Sequence, residues 1–500
     1  MDLFLIGLKT AVEPYYLSMA FIGAFLGVAF GAIPGINAII GVALLIPITV
    51  SLDPIAAFIL LGAVYTGGAV GGAFPAILFK IPGAPEAAAT TFDGYPLAKK
   101  GQASKAIGMA LFASTTGGMF GVLCLSFFSP QLAKIALSFS AQEYFAFALL
   151  GLTIIVSIGQ SVLKSIISGL FGLILATVGL DKLTTAERFT FGIKPIFGGF
   201  EFVSIIIGAF AIGEVLERIQ TKESGAFTTK EKVSTKLPSL TEILECKWTL
   251  LRSYIIGTII GILPGVGATT ASFFGYNEAV RFSKHPEKFG TGILEGVAAC
   301  EAADNAAVGG ALVPLLTLGI PGSATTAVMV GGLLIHGIIP GPLLFVEQTK
   351  FVYSFFSGMF IAQIAMLICG MIGVKIFVKI LNWQYSILGA VILVLCVIGS
   401  YAMRNNYFDM WVMLAFGVIG YYMNRYEYPL PPLVIGLVLG DLVETSFRRT
   451  LILQDYQFFT IFTRPVSGPI LIFAILALFY PAFRKYYVSK VVRKKSQSSP

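Results

Sequence analysis

The stretch Gly31-Ala32-Ile33-Pro34-Gly35-Ile36-Asn37-Ala38 returns 230 positions later as Gly261-Ile262-Leu263-Pro264-Gly265-Val266-Gly267-Ala268. Each copy is followed by Ala-Val-Gly-Gly-Ala (69–73 and 307–311), by Pro75 or Pro314, and by Ile-Pro-Gly (Ile81-Pro82-Gly83 and Ile320-Pro321-Gly322). The marks come in the same order, and their offset drifts from 230 through 238 to 239, so small insertions separate them. A chain with 55 glycines yields short matches by chance, but four matched marks in one order identify a duplication. Paired Pro-Gly interruptions of apolar segments, one set in each half, point to the binding site of a transporter.

Composition sets the class. The chain is 56% hydrophobic with a mean hydropathy of +0.86, and 12% of its residues are charged, against about 25% in soluble proteins. Apolar runs of about 20 residues, enough to cross about 30 Å of hydrocarbon, recur from end to end. They are continuous rather than alternating, which selects helices over a barrel. The expectation is an all-α polytopic membrane protein of about 10–14 transmembrane segments. Its architecture is expected to be an inverted-topology repeat with two re-entrant or broken-helix hairpins. The organisation expected is a first transmembrane repeat over 1–216, a basic cytoplasmic loop over 217–248, an inverted second repeat core over 249–350, C-terminal scaffold helices over 351–484 and a basic cytoplasmic tail over 485–500. The tail places the C-terminus in the cytoplasm.

The net charge of +8 lies in short loops and in that tail, which is the signature of retention on the cytoplasmic side rather than of nucleic-acid binding. Five scattered cysteines show neither metal nor disulfide spacing and read as small buried hydrophobes. The N-terminus lacks a basic region with a cleavage site, so the first apolar run is expected to persist in the mature protein.

Charge also orders the two copies. The apolar run 249–280 is flanked by Lys247 and Arg252 on one side and by Arg281, Lys284 and Lys288 on the other, so both ends prefer the cytoplasm. With Pro264-Gly265 at its midpoint, each arm is about 14 residues, or about 21 Å, short of a crossing. A re-entrant hairpin fits, and two short crossings are the alternative. The run 17–50 around Pro34-Gly35 has no basic flank, while Pro82-Gly83 leads into Lys99, Lys100 and Lys105 and Pro321-Gly322 leads into no nearby Lys or Arg. The copies therefore enter from opposite faces.

Pro removes a ladder hydrogen bond and Gly turns freely, so Pro-Gly stops a helix. Freed backbone groups persist in a membrane only inside protein or beside water. Helix N-termini there suit a carboxylate, and unwound carbonyls suit a cation. The substrate-binding residues expected are Pro34, Gly35, Ile36, Asn37, Pro82, Gly83, Pro264, Gly265, Val266, Gly267, Thr269, Pro321, Gly322, Ser323 and Thr325. Glu301, Asp304 and Asn305 lie inside an apolar run, the two acids i,i+3 on one helix face, and together with Asn37 are the cation-binding candidates. Asp93, leading into a basic stretch, reads as a loop residue. His336 reads as a packed polar group. No transition-metal site and no cofactor are expected, only a coupling cation, Na⁺ or H⁺.

Gly31–Gly35, Gly261–Gly265, the run Asp93-Gly94-Tyr95-Pro96-Leu97-Ala98-Lys99-Lys100-Gly101, and Glu301–Ala306 leading into Thr317-Leu318-Gly319-Ile320-Pro321-Gly322 resemble the large permease subunit of the tripartite tricarboxylate transporter family over nearly the whole chain. The resemblance implies an ion-coupled importer of di- and tricarboxylates in a prokaryotic inner membrane. It also implies two partners, a small four-helix membrane subunit and an extracytoplasmic solute-binding protein. One departure stands out: two successive amides are expected before Ala306, and this chain has Asp304 then Asn305.

Other classes fit less well. No Gly-rich loop ends in Gly-Lys-Ser/Thr, so an external gradient must supply the energy. An intramembrane aspartyl-protease-like enzyme is suggested only by Gly440-Asp441, without a partner Asp, and no Ser-His pair or His-Glu-x-x-His occurs. A passive anion channel would want a continuous polar pore rather than helices that stop halfway.

Overall fold

The computed structural model describes residues 2–33, 36–158, 161–221, 235–380, 385–457 and 459–476. Two compact units arise, one from 1–137 with 201–425, the other from 138–200 with 426–500. The expected boundaries divide the chain differently: 138–200, assigned above to the first repeat, packs with the C-terminal residues instead.

The larger unit holds both repeats. The first comprises α1 (Asp2–Ala11), α2 (Pro14–Ala32), α3 (Ala38–Thr49), α4 (Pro54–Gly71), α5 (Ala73–Phe79), α6 (Thr91–Lys99) and α7 (Ala103–Ala136). After α8 (Ala141–Ile158) and α9 (Val162–Ala176) of the smaller unit, α10 (Phe202–Ile206) and α11 (Gly213–Thr221) flank a π-helical turn at Ile207–Ile212. The second repeat comprises α12 (Leu240–Ile262), α13 (Gly267–Phe282), α14 (Leu294–Leu318), α15 (Ala324–Ile335), α16 (Leu344–Glu347) and α17 (Thr349–Ile380), followed by α18 (Tyr385–Arg404) and α19 (Tyr407–Arg425). The protein is an all-α polytopic membrane protein. Among the described residues, five helices have the length and apolarity to cross a bilayer: α2, the run Pro54–Phe79, α7, α17 to Val374, and α20 (Leu430–Leu453). The helices that follow the breaks, α3 and α15, are apolar but only 12 residues each.

The hairpin over 249–280 departs from expectation in one arm. α12 is 23 residues long and begins at Leu240, inside the stretch read as a loop. Ser239 accepts the Glu242 N–H while the Glu242 carboxylate accepts the Ser239 N–H, a reciprocal cap that starts the helix early. The basic residues Lys247 and Arg252 therefore ride on the helix itself, Arg252 near its middle. From Arg252 to the break at Ile262 the helix advances about 15 Å, about half of a hydrocarbon core.

Close backbone contact is the packing device. Lipid is as apolar as a leucine side chain, so helices in a membrane associate through tight van der Waals fit. A β-carbon on Gly31 of α2 would lie 2.1 Å from the Gly68 carbonyl oxygen of α4, and one on Gly261 of α12 would lie 2.4 Å from the Ala307 oxygen of α14. Likewise Gly71 meets the Val28 oxygen and Gly310 the Thr258 oxygen, at 2.4 and 2.5 Å. These pairs fix the register of the central helices at an offset of 239, one more than the Ala-Val-Gly-Gly-Ala match suggests. Gly71 thus corresponds to Gly310, Tyr65 to Asp304, and Lys80 to Gly319.

The last helix of each repeat packs on the other repeat. α7 lies along α14, where β-carbons on Gly117 and Gly121 would meet the Ala302 and Ala306 oxygens at 2.3 and 2.5 Å. α17 lies along α2 and α4, with Met359 against Gly62. One buried cluster joins Phe74, Ile77, Met109, Leu111, Val297, Met366 and Phe377 from both halves.

In the smaller unit α20 packs on α8 and α9. A short antiparallel hairpin pairs Gly179 with Arg188 and Leu180 with Glu187. Arg188 grips Glu444 with two hydrogen bonds of 2.6 and 3.1 Å, and Arg448 pairs with Asp181. Asp181 also accepts the Thr184 and Leu183 N–H groups, and these bonds with Arg448 hold its carboxyl well below the usual carboxylate range. The remaining short helix of this unit is α21 (Thr460–Thr463).

Candidate functional site

The second repeat shows how its breaks meet. α12 ends at Ile262, Leu263 is extended, and Gly265 and Gly267 adopt φ of 79° and 72° as the chain turns into α13. α14 ends on Gly319 in the left-handed conformation, Ile320-Pro321-Gly322 follows, and Ser323 caps α15 reciprocally with Thr326. The Gly265 N–H donates to the Gly322 oxygen at 2.9 Å. The hairpin tip is thus clasped to the Ile-Pro-Gly turn. Val266 and Thr269 are half-buried, while Pro321, Gly322, Ser323 and Thr325 are buried.

The first repeat is organised alike. Pro34 and Gly35 lie outside the described residues. Ile36 is buried, and Asn37 uses its side-chain oxygen to accept the Ile40 N–H at 3.2 Å, opening α3. That oxygen serves as a helix cap. The Gly83 N–H donates to Gly72 at 3.1 Å, and a β-carbon on Gly83 would sit 2.2 Å from the Gly31 oxygen. Pro82-Gly83 therefore lies against the end of α2. Tyr65 of α4 shares a 2.9 Å hydrogen bond with Ser323, linking the first repeat to the break of the second.

The expected cation residues sit on α14 and are enclosed: Glu301 and Asp304 are each 1% exposed and Asn305 is 0% exposed. Glu301 accepts the hydroxyls of Thr90 (2.6 Å) and Ser114 (2.9 Å). The Thr66 hydroxyl lies 3.0 Å from the Gln363 side-chain oxygen and 3.3 Å from that of Asn305. Among the described residues, neither oxygen of Asp304 has a protein donor within reach, and the amide nitrogens of Asn305 and Gln363 lack acceptors. An enclosed carboxylate without donors is stable only with a proton or a cation. Asn37 is not in this cluster's hydrogen-bond network. Among the described residues no group of His, Cys, Asp and Glu has the arrangement of a metal centre.

Sequence reasoning missed Tyr65, Thr66, Thr90, Ser114 and Gln363. Neutral polar residues in apolar runs carry a weak signal, although Gln363 in the middle of α17 was visible. Asp93 is corrected: it lies on α6, buried, and accepts the Tyr276 hydroxyl (2.9 Å) and the Gly292 and Ile293 N–H groups (2.8 and 3.0 Å). It thereby ties α6 to the start of α14. His336 lies 3.3 Å from the Thr49 hydroxyl, at the end of α15. Asp441 is half-buried and ion-paired with Lys182.

The family model described as "Tripartite tricarboxylate transporter TctA family" matches residues 17–435. The chain belongs to that family. A TctA-family assignment makes this a transporter permease, and the match spans both repeats and ends within α20. Among curated proteins, the "Uncharacterized 52.8 kDa protein in TAR-I ttuC' 3'region" of Agrobacterium vitis is 36% identical over 467 residues, covering 93% of each chain. The "Uncharacterized protein in TAR-II ttuC' 3'region" of the same organism is 35% identical over 215 residues, 43% of this chain and 89% of its own. No solved structure is significantly similar to this TctA-family chain.

Proposed function

We propose that this TctA-family permease carries di- and tricarboxylates into the cytoplasm, driven by Na⁺ or H⁺ moving down its gradient. It would work with a small membrane subunit and an extracytoplasmic solute-binding protein in the inner membrane of a prokaryote. The breaks around Pro34, Pro82, Pro264 and Pro321 would hold the anion through backbone N–H groups. Asp304, with Glu301 and Asn305, would take the coupling cation.

The observation that carries this reading is Asp304, enclosed and with both oxygens free of donors among the described residues, on the same helix as the clasped break. A carboxylate kept in that state has a use for a transient positive charge. The two hairpins would move with the substrate between the faces while the other helices stay in place. Exposure of the breaks supports such alternation: Pro82 is exposed and Pro321 buried.

The test is uptake of labelled citrate, tartrate and succinate by protein reconstituted in liposomes, with Na⁺ replaced by choline or the proton gradient collapsed. Uptake should follow one of the two gradients. Equal uptake with both removed would favour a channel and overturn the proposal. Substrate recovered chemically altered would instead favour an enzyme.

A further inference from the structure

Beside the first Ile-Pro-Gly break lies a cavity of about 400 Å³. Its walls include Lys80, Thr91, Phe92, Tyr95, Lys99 and Tyr276. It is bounded by the end of α5, by α6 and by α13, on the side marked by Lys99, Lys100 and Lys105, which the positive-inside rule assigns to the cytoplasm.

Lys80 is the informative residue. It terminates α5 with φ of 62°, its N–H donating to the Ala76 oxygen. A left-handed helix end is normally glycine, because a β-carbon crowds the carbonyl there. The second repeat obeys this rule at the equivalent place: Gly319 ends α14 with φ of 72°. The same backbone turn therefore carries glycine in one half and lysine in the other. The strain at Lys80 is not required by the turn, and what the substitution adds is an ammonium at the mouth of the cavity. Lys99 supplies a second, its Nζ 4.9 Å from the centre of the Tyr95 ring. Neither lysine belongs to the ion pairs among the described residues, whereas nearby Lys105 is paired with Glu242 at 2.9 Å.

We propose that this cavity is a holding site for the carboxylate groups of the transported anion on the cytoplasmic side, with Lys80 and Lys99 as its cationic contacts; the Thr91 hydroxyl is spent on the Ala88 oxygen at 2.7 Å and leaves the anion to the two lysines. Two ammonium groups flanking aromatic walls suit a compact anion with more than one carboxylate, and the volume suits a small ligand. The expected substrate-binding residues at the breaks include no side-chain cation; this cavity supplies two beside the first break, one of them Lys80, two residues before Pro82. The inference rests on the carboxylate substrate proposed above.

The test uses the full protein in liposomes and whichever of labelled citrate, tartrate or succinate it carries. If it carries none, the proposed function fails first, and that result is distinct. Lys80→Gly, Lys99→Gln and the pair are compared for KM from each face. The paired variant should raise the cytoplasmic-side KM by about tenfold, the scale of lost charged hydrogen bonds, and leave the opposite KM within about twofold. Lys80→Gly should not lower the thermal midpoint, since glycine fits the turn. Unchanged KM on both faces overturns the proposal. In wild-type protein, acetylation of Lys80 read by mass spectrometry should slow with the carried carboxylate and not with chloride at equal ionic strength. Protection that follows the phosphatidylglycerol content of the liposomes instead would assign the lysines to lipid headgroups and also overturn it.

Discussion

The two Ile-Pro-Gly breaks share their letters and differ in setting. Ile320 is 1% exposed and Pro321 is buried, whereas Ile81 is 37% exposed and Pro82 is open. At the equivalent helix ends stand Gly319 and Lys80, and at the equivalent central positions stand Asp304 and Tyr65. Duplication supplied one backbone design. The second half now holds the enclosed acid and the first half the exposed base. Shape is shared between the halves, and chemistry is divided between them.

That division can be broken most directly at its centre. Asp304→Asn should cut uptake by about 100-fold, or about 2.7 kcal/mol, because it removes the enclosed charge. Tyr65→Phe removes one hydrogen bond, worth about 1 kcal/mol, and should cost less than about tenfold. Both are read by uptake in liposomes, and equal losses would erase the distinction. A smaller effect tests the shared design. Gly31→Ala and Gly261→Ala each force a methyl group against a backbone oxygen and should each destabilise by about 1–3 kcal/mol. Melting of the detergent-solubilised variants checks this, and a loss confined to one variant would mean that the halves pack differently.

The smallest effect concerns how the entry helices start. Glu13 before α2 makes no side-chain cap, whereas Ser239 caps α12. Ser239→Ala should cost about 1 kcal/mol. The Ser239 N–H, followed by Lys105, pulls the Glu242 carboxyl down to about 2. The contribution of Glu242 is therefore full above its unfolded value of about 4.3 and is lost as the pH falls toward 2. Melting between pH 5 and 2, about that window, should show the loss in wild type and less of it in Glu242→Gln.

Much of this architecture was readable from letters because each break needs Pro or Gly, and those residues stand out in apolar sequence. The register was not, since glycine-rich segments align several ways and only contacts such as Gly71 with Val28 decide between them. The early start of α12 was hidden by its basic residues, although Ser239 and Glu242 spell a cap. Glu301 and Asp304 announced themselves as acids in an apolar run. Lys80 did not, because a lysine at the end of such a run looks like an ordinary boundary, and no letter records a left-handed turn. Asp93 was misread for a related reason: the basic residues after it suggested solvent, while its acceptors are spent on a helix start about 200 residues away.

The exchange of final helices has a consequence for biogenesis. α7 lies on α14, and α17 lies on α2 and α4. The first half leaves the ribosome with its own last helix already committed to a surface that has not been made. At about 5–20 residues per second, the stretch from Ala136 to Ile380 takes about 10–50 s to synthesise. Until α17 is made, the grooves of α2 and α4 that receive it stand unmatched in the nascent chain, so the first half is finished only by its twin.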